Sequence, residues 1–564
     1  MQSTPVHAVH STAKPADAVH VHGVCTAVES VHKRVASRTI RCPHCRELQQ
    51  HLQLAGVPLQ QCCSEGSGTS LSAWEEDVTG RVLVPVQRVY LADVGCARAS
   101  AVFGVSASAL SIELQGEDLV GRVAVGTCLS VYGTVALTHM PDSNAVRAWT
   151  TAQVRANSVT LSHARQLTYH PPVALDWEAW TGEVLSRRAS HKPAQLLTGL
   201  CDALGACLEP QPLPDRTMLC LLLSAVTAGH SAQDMTQSCG DRSQVHVLLT
   251  SAGLEPSLAR TMASAAALLS PHSLDLTSSM PLLPKASELK QQNAQTGWRL
   301  EASALGNAAS GILCLQSYQL GKKDQERLAD ALQQRALHAC PDPALTVPGT
   351  AVLWMGVPVD AIAEQNNDPR SNGSASKGRL SPALVSQFDL VTCYSSSSSS
   401  NGDGDFEERL VKHLLDLSPE DSETDSQDRA SLTRCLQEHL RKAANIAAPK
   451  PSKQASLMLQ NYYPALRQQA ADSDVTVTAA VLGTLSRLSS ACARLHLRDE
   501  ILATPDVVVS IMLLEESFQH QGRACQLSRD LASMHGIERN GESLADSIIS
   551  MAAVLIEHFC TDME

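Results

Sequence analysis

The sequence predicts a multidomain chain: a small all-β barrel or sandwich, then an α/β domain with a mostly parallel sheet, then a helical region. Three observations carry this. From Val19 the chain runs through short stretches that alternate apolar and small polar residues, punctuated by Gly and Asp/Asn; this is the period-two pattern of half-buried strands. Beyond about Asp176, apolar spacings of three and four alternate with isolated apolar runs of strand length, as in domains that cover a parallel sheet with helices. From about Ala430 onward the pattern is helical throughout. A length of 564 residues accommodates about three or four such units.

Each element follows in order. Residues 1–18 are rich in His, Ser, Ala and Pro and are predicted to be a disordered start. His20–Val28 opens the β domain, assigned to residues 19–170, and further strands are expected at Arg81–Leu91, Ala109–Leu114, Ser130–Leu137 and Ser158–Leu161. The α/β domain is assigned to 171–395. It has a helical stretch from Asp176 to Leu223, buried strands at Val245–Leu249, Ile312–Leu315, Ala351–Met355 and Leu390–Cys393, and a helix at Asp324–Leu337. Polar segments at Gln365–Gly378, Ser395–Ser400 and Pro419–Asp428 read as surface loops, and 396–430 is taken as a Ser/acidic loop before the helical region 431–564. Ser418, Ser422 and Ser426 lie among acids there, where a phosphate could add charge.

Composition excludes several classes. Hydrophobic residues are 44% and charged residues 18%, so the chain is not globally disordered. Its net charge of −13 rules out a polybasic coat but leaves room for a local basic groove. Aromatics at 3% argue against many base-stacking platforms. Met1–His20 has no apolar core of a secretory signal, and the longest apolar stretch, about Met218–Ala228, is too short to span a bilayer. The 18 cysteines are therefore expected as core thiols or metal ligands in a reducing compartment.

Two motif regions bear on chemistry. Cys42-Pro43-His44-Cys45 is followed by Cys62-Cys63. A Cys-x-x-Cys turn places two thiolates on one zinc ion, and a second pair completes the tetrahedron. Adjacent cysteines make a poor second pair, for which His44 or His51 can substitute, and a former ribbon without metal is equally compatible with the spacing. The second region is Gly297–Leu305, running into Gly311–Leu315 and Asp324–Arg335; Leu380–Leu390, Ala455–Arg467 and Leu482–Leu497 follow.

These strings, in this order, resemble the minichromosome maintenance (MCM) family. Gly297–Leu315 is similar to the approach to its Walker B strand, Leu380–Leu390 to its arginine-finger string, and Ala455–Leu497 to the helices that close its core. Gly23–Cys45 and Val123–Val135 resemble its oligonucleotide-binding barrel. The likeness covers about residues 19–515; the helical subdomain that precedes the barrel in the family has no counterpart, as in a shortened isoform or a fragmentary gene model. The resemblance implies an OB-fold barrel with a zinc-ribbon-like insertion at about 40–65, a degenerate AAA+ α/β core and a helical lid.

The departures from the family pattern concern one mechanism. The phosphate-cradling loop corresponds to Ser251–Ser257, where Ser251, Gly253 and Ser257 remain, Glu255 is added and no lysine is present. Gln316 and Ser317 stand in place of the Walker B acids, Val357 in place of a water-positioning Asn, Gln387 in place of the arginine finger and Ala480 in place of a second arginine sensor. Phosphoryl transfer is almost wholly positioning and charge stabilisation, so the expectation is no ATP hydrolysis, no catalytic residue and ATP as an improbable ligand. Within the family this joint loss marks a degenerate branch, which implies a nuclear protein of meiotic homologous recombination, crossover and double-strand break repair. Its partners would be DNA, single-stranded and weakly held, and other MCM-type or recombination proteins, with no membrane. Lys33, Arg34, Arg38, Lys285 and Lys290 are the candidate DNA contacts. The alternatives are an ATP-binding subunit of an MCM-type helicase complex and a pure protein-interaction scaffold.

Overall fold

The computed structural model describes residues 16–41, 46, 48–52, 75–92, 109–123, 125–140, 149–161, 193–208, 213–228, 244–251, 256–270, 273–275, 282–290, 296–301, 303–308, 311–334, 336–338, 346–348, 351–358, 380–394, 422–471, 477–521, 527, 530 and 544–560. The sequence expectations for residues 1–15, for Gln365–Gly378 and for the serine run lie outside the described residues.

The N-terminal unit is built from β1 (Ala18–Glu29), β2 (His32–Arg41), β3 (Leu48–Leu52), β4 (Glu75–Ala92), β5 (Leu110–Gln115), β6 (Cys128–Met140) and β7 (Trp149–Leu161). Five of them close on themselves in the order β1–β4–β5–β7–β6 and back to β1, with β5 and β7 parallel and the other pairs antiparallel. Period-two alternation closes the ring. Val19, Val21, Val89, Leu91, Ile112, Leu114, Val131 and Val154 point into one apolar interior, and each such side chain contributes about 1.5–3 kcal/mol on burial. β2 and β3 leave the ring as a ribbon against the first half of β4.

The second unit is a parallel sheet of β8 (Val247–Ser251), β9 (Ser273–Asp275), β12 (Ile312–Gln316), β15 (Val352–Pro358) and β16 (Leu390–Tyr394), in the order β16-β8-β15-β12-β9. Its strands are buried on both faces, as parallel strands flanked by crossovers must be. Val247, Leu249, Ile312, Cys314, Val352, Trp354 and Leu390 pack on α1 (Pro193–Cys207), α2 (Asp215–Thr227), α3 (Pro256–Leu269) and the C-terminal helices. Leu248, Leu313, Leu315, Leu353, Met355 and Val391 face the other way, in one cluster with α4 (Lys322–Gln334) and the barrel interior. α4 ends at Gln334 rather than at Leu337, because Ala336–His338 (β13) pairs instead with Thr346–Pro348 (β14).

Two features join the units. β10 (Lys285–Lys290) and β11 (Thr296–Glu301) form an antiparallel hairpin, and β11 adds to the barrel strand β1. Ala27 pairs with Tyr90 of β4 on one edge and with Glu301 on the other, so β11 continues the edge that β6 leaves near Val24. Gly126, at φ +85°, packs so closely on the one-turn helix Ala304–Asn307 that a Cβ there would lie 1.8 Å from the Gly306 carbonyl oxygen. Only glycine permits both that backbone and that approach.

The C-terminal unit comprises α5 (Ser422–Asn445), α6 (Lys453–Ala471), α7 (Ala480–Leu495), α8 (Val508–His520) and α9 (Leu544–Phe559). α5 begins at Ser422, so the acidic stretch through Asp428 that the sequence suggested as loop is the first part of a helix. No helix among the described residues is long and apolar enough to cross a membrane.

Candidate functional site

Parallel pairing brings the ends of β8, β12 and β15 together. Gln316 lies opposite Gly356, Val357 opposite Thr250 and Pro358 opposite Ser251. Ser251, Gln316, Ser317 and Val357, scattered in sequence, thus share one end of the sheet, and all four are buried. Gly253 lies outside the described residues, and Ser257 is the second residue of α3. The strand-end groups are neutral. The Gln316 amide lies over Gly356, where a Cβ would come within 2.5 Å of its Oε1. Its Nε2 is 3.9 Å from Met262 Sδ of α3. The Gln319 side chain accepts the Gln316 backbone N–H at 2.9 Å, capping the turn Ser317–Gln319. Ser317 is fully buried, and its hydroxyl has no hydrogen-bond partner among the described residues.

Gln387 and Ala480 lie elsewhere. Gln387 precedes β16, whose first residue pairs with Val247 at the start of β8, so it sits at the opposite end of the sheet from Ser251. Ala480 is exposed at the first position of α7. Between them is a network that the sequence did not announce. Asp389 accepts the His246 backbone N–H at 2.9 Å on Oδ2, and on Oδ1 it accepts the Thr484 hydroxyl at 2.9 Å and Arg487 Nη2 at 2.5 Å. It ties the sheet to α7. Its only sequence signal was an acid inside the apolar string Phe388-Asp389-Leu390.

On the barrel, the candidate cations separate. Lys33 is exposed. Arg34 is held at 2.9 Å by Glu113, which is 2% exposed and also meets Gln115, Gln153 at 3.3 Å and Arg155 at 3.8 Å. Arg34 therefore serves first as counter-charge to a buried carboxylate, a role its neighbour Lys33 does not share. Arg38 falls at the second irregularity of the β2–β4 pairing, between Ser37 and Thr39, and pairs with His51 of β3. Lys285 and Lys290 open and close β10, opposite Glu301 and Thr296. Where the hairpin meets the barrel, Arg299 stacks 4.4 Å over the Tyr90 ring and Tyr90 donates to Glu29 at 2.6 Å. Burial, with Glu29 adding to it, pushes the Tyr90 phenol up to about 12.

Cys42, Cys45, Cys62 and Cys63 lie outside the described residues. The pairing of Arg41 with Leu48 makes residues 42–47 the connection of the β2–β3 hairpin. Cys25, Cys128, Cys201, Cys220, Cys314, Cys435 and Cys492 are buried thiols, and burial pushes the Cys25 thiol up to about 12. Cys492, His496 and Asp506 cluster beneath the C-terminal helices. The cation there is Arg498, 2.7 Å from Asp506 Oδ1, and the Leu502 amide donates to Oδ2 at 2.8 Å. The cluster is a structural knot.

Comparison with known proteins adds a family context. Residues 434–518 match the MCM AAA-lid domain. The chain is similar to the probable DNA helicase MCM9 of Arabidopsis thaliana, 24% identical over 221 residues that cover 39% of this chain and 33% of that protein. It is similar to the probable DNA helicase MCM8 of Arabidopsis thaliana, 23% identical over 320 residues, 49% of this chain and 38% of that protein. The maternal DNA replication licensing factor mcm6 of Xenopus tropicalis is 27% identical over 215 residues, 36% of this chain and 24% of that protein. The matched regions span 33% and 38% of the two helicases' own length.

Proposed function

Because this chain belongs to the MCM family, we propose that it is a DNA-associated member that does not hydrolyse ATP. We infer that it supports meiotic homologous recombination, crossover formation and double-strand break repair in the nucleus, beside catalytic MCM-type or other recombination partners. The observation that carries the reading is the strand-end site. A divalent ion and an attacking water need carboxylates, and Gln316 and Ser317 offer an amide already packed on Gly356 and a buried hydroxyl. The barrel order, with its parallel β5–β7 pair, supports an OB-fold. The order β16-β8-β15-β12-β9 supports a degenerate AAA+ core. We propose that it belongs to the degenerate branch typified by minichromosome maintenance domain-containing protein 2, a reading supported by the joint departures at Gln316, Ser317, Val357, Gln387 and Ala480.

We propose that zinc rests on Cys42 and Cys45 with Cys62 and Cys63, since a Cys-x-x-Cys turn can place two thiolates on one ion. A second reading, an ATP-binding subunit completed by its neighbours, is favoured by one observation. Gln387 lies at the far end of the sheet from Gln316, so a group at that position is not part of this chain's own strand-end site.

The deciding measurement is the nucleotide content of the purified protein, followed by phosphate release with and without single-stranded DNA. The expected result is neither bound ATP nor turnover. Bound ATP without turnover supports the subunit reading, and turnover abolished by Ser317→Ala overturns the proposal. A salt titration with labelled single strands tests the DNA association. Binding is expected to be weak and salt-steep, with the log–log slope reduced by about 0.7 for each of Lys33→Ala and Arg38→Ala. Binding that ATP and Mg²⁺ strengthen favours the helicase subunit, and absence of binding at low salt favours the scaffold.

A further inference from the structure

The outer face of β1, β6 and β7 carries a feature that the family reading leaves unused. Interior positions on these strands are taken by Val19, Val21, Leu129, Val131 and Val154. The alternate residues, His20, His22, Ser130, Tyr132 and Thr134, therefore face outward. His20 pairs directly with Tyr132, and His22 with Ser130. The His20 and Tyr132 rings are stacked, 3.8 Å apart and 4° from parallel. His22 meets His20 edge-on at 4.2 Å, and His20 Nε2 is 2.8 Å from Ser130 Oγ. His20 is thereby buried to 8% exposure, while Tyr132 stays 42% exposed.

This is a fixed ring with one face spent. Tyr132 lies flat on a histidine that a hydroxyl and a second histidine hold in place, so its other face meets solvent at little entropic cost. Burial holds both imidazoles below the usual histidine range, with His22 adding to the effect on His20. The platform is thus uncharged near neutrality.

Its surroundings select the ligand. Tyr132 pairs across to Ser158, Ser130 to Thr160 and Thr134 to Arg155, so the ring is bordered by hydroxyls, and Arg155 stands one diagonal step away on β7, its side chain reaching on to Glu113 of β5. Arg155 shares the single carboxylate of Glu113, at 3.8 Å, with Arg34, and its side chain is 43% exposed. Two arginines thus meet at one acid on this face. A flat aromatic face beside hydroxyls and a part-exposed arginine suits a nucleotide, since the base stacks and the phosphate meets the arginine. A protein hot spot would want further apolar neighbours, and the adjacent apolar side chains point inward.

We propose that the outer face of β1, β6 and β7 is a single-strand nucleic-acid subsite, in which Tyr132 stacks an unpaired base and Arg155 contacts the adjoining phosphodiester. It rests on the DNA-associated reading and gives it a place on the barrel outside the lysine and arginine candidates of the sequence.

The test uses the full chain and a mixed-sequence single strand carrying 2-aminopurine, beside the same strand made abasic at several positions. Tyr132→Ala is expected to weaken binding of the base-bearing strand about ten-fold, to remove the 2-aminopurine quenching and to leave the salt slope unchanged. Tyr132→Phe should bind within about two-fold of the wild type, since it keeps the ring. Arg155→Gln should keep the quenching at saturation and lower the slope by about 0.7. If the wild type binds and Tyr132→Ala binds equally well, the subsite is wrong and the DNA reading stands. Equal losses for base-bearing and abasic strands likewise overturn the stacking. If the wild type binds no strand at low salt, both fall.

Discussion

Arg487 Nη2 donates to Asp389 Oδ1 at 2.5 Å, where the chain entering β16 meets helix α7 of the lid. The carboxylate is 3% exposed and the guanidinium 12%. Asp389→Ala removes the acceptor of Arg487, Thr484 and the His246 amide together. Breaking a buried pair from one side costs about 3–5 kcal/mol. Denaturant unfolding followed by circular dichroism should show that loss for Asp389→Ala and a smaller one for Asp389→Ala with Arg487→Met. Equal losses would show that the stranded charge is not what costs.

The lid should weaken in acid through His439. Burial holds this imidazole down to about 4, and its Nε2 lies 2.8 Å from the Leu495 carbonyl oxygen. The unfolded chain takes up its proton near pH 6.5 and the folded one only near 4. Stability is therefore complete above about pH 6.5 and declines as the pH falls through that window, by about 3 kcal/mol in all. His439→Gln should flatten the pH dependence of the melting temperature between those limits.

Leu248 is fully buried in β8, the second strand of the parallel sheet. Leu248→Asp places a carboxylate there with no cation to meet it, which costs several kcal/mol, enough to unfold a domain of ordinary stability. The expected outcome is loss of the cooperative melt, and a wild-type melt would contradict the sheet as described.

Two adjacent cations on β2 should behave differently. Lys33→Ala should leave barrel stability within about 0.5 kcal/mol of the wild type. Arg34→Ala deprives Glu113 of its nearest cation and should cost about 1 kcal/mol, a figure discounted because the Arg34 side chain is 36% exposed. Hydrogen exchange of the β5 amides reads the difference.

Metal content should depend on Cys42 and Cys45 before Cys63, because the intact Cys-x-x-Cys turn anchors the ion. Elemental analysis of Cys42→Ser and Cys63→Ser checks this. Equal zinc in both, or none in the wild type, would count against the site.

Most of the barrel and sheet strands were legible in the sequence because their side chains alternate or run apolar on a strand-length scale. β1 and β8 are examples, each found within a few residues of its observed limits. β2 was not legible. His32–Arg41 is polar nearly throughout, and its strand character comes from pairing with β4. Nor was the seating of β11 on β1, since a register between residues 27 and 301 leaves no local trace. At the site, the neutral residues at Gln316 and Ser317 were plain from the family string. The difference between Lys33 and Arg34 was not, because it depends on a carboxylate some 80 positions away. The string around Gln387 drew notice for the missing arginine, while its structural anchor, Asp389, stood two residues on.

The barrel's last edge is filled by a strand that leaves the ribosome late. Ala27–Glu29 emerge early, but their partners Arg299–Glu301 follow about 270 residues afterwards, roughly 14–55 s at 5–20 residues per second. Through that interval the nascent barrel presents an open β edge, the kind of surface on which strands of neighbouring chains pair. Ribosomes spaced closely on one message would bring such edges together. Slow initiation, or a chaperone that shields β1 until residue 301 is out, would raise the yield of correctly assembled protein.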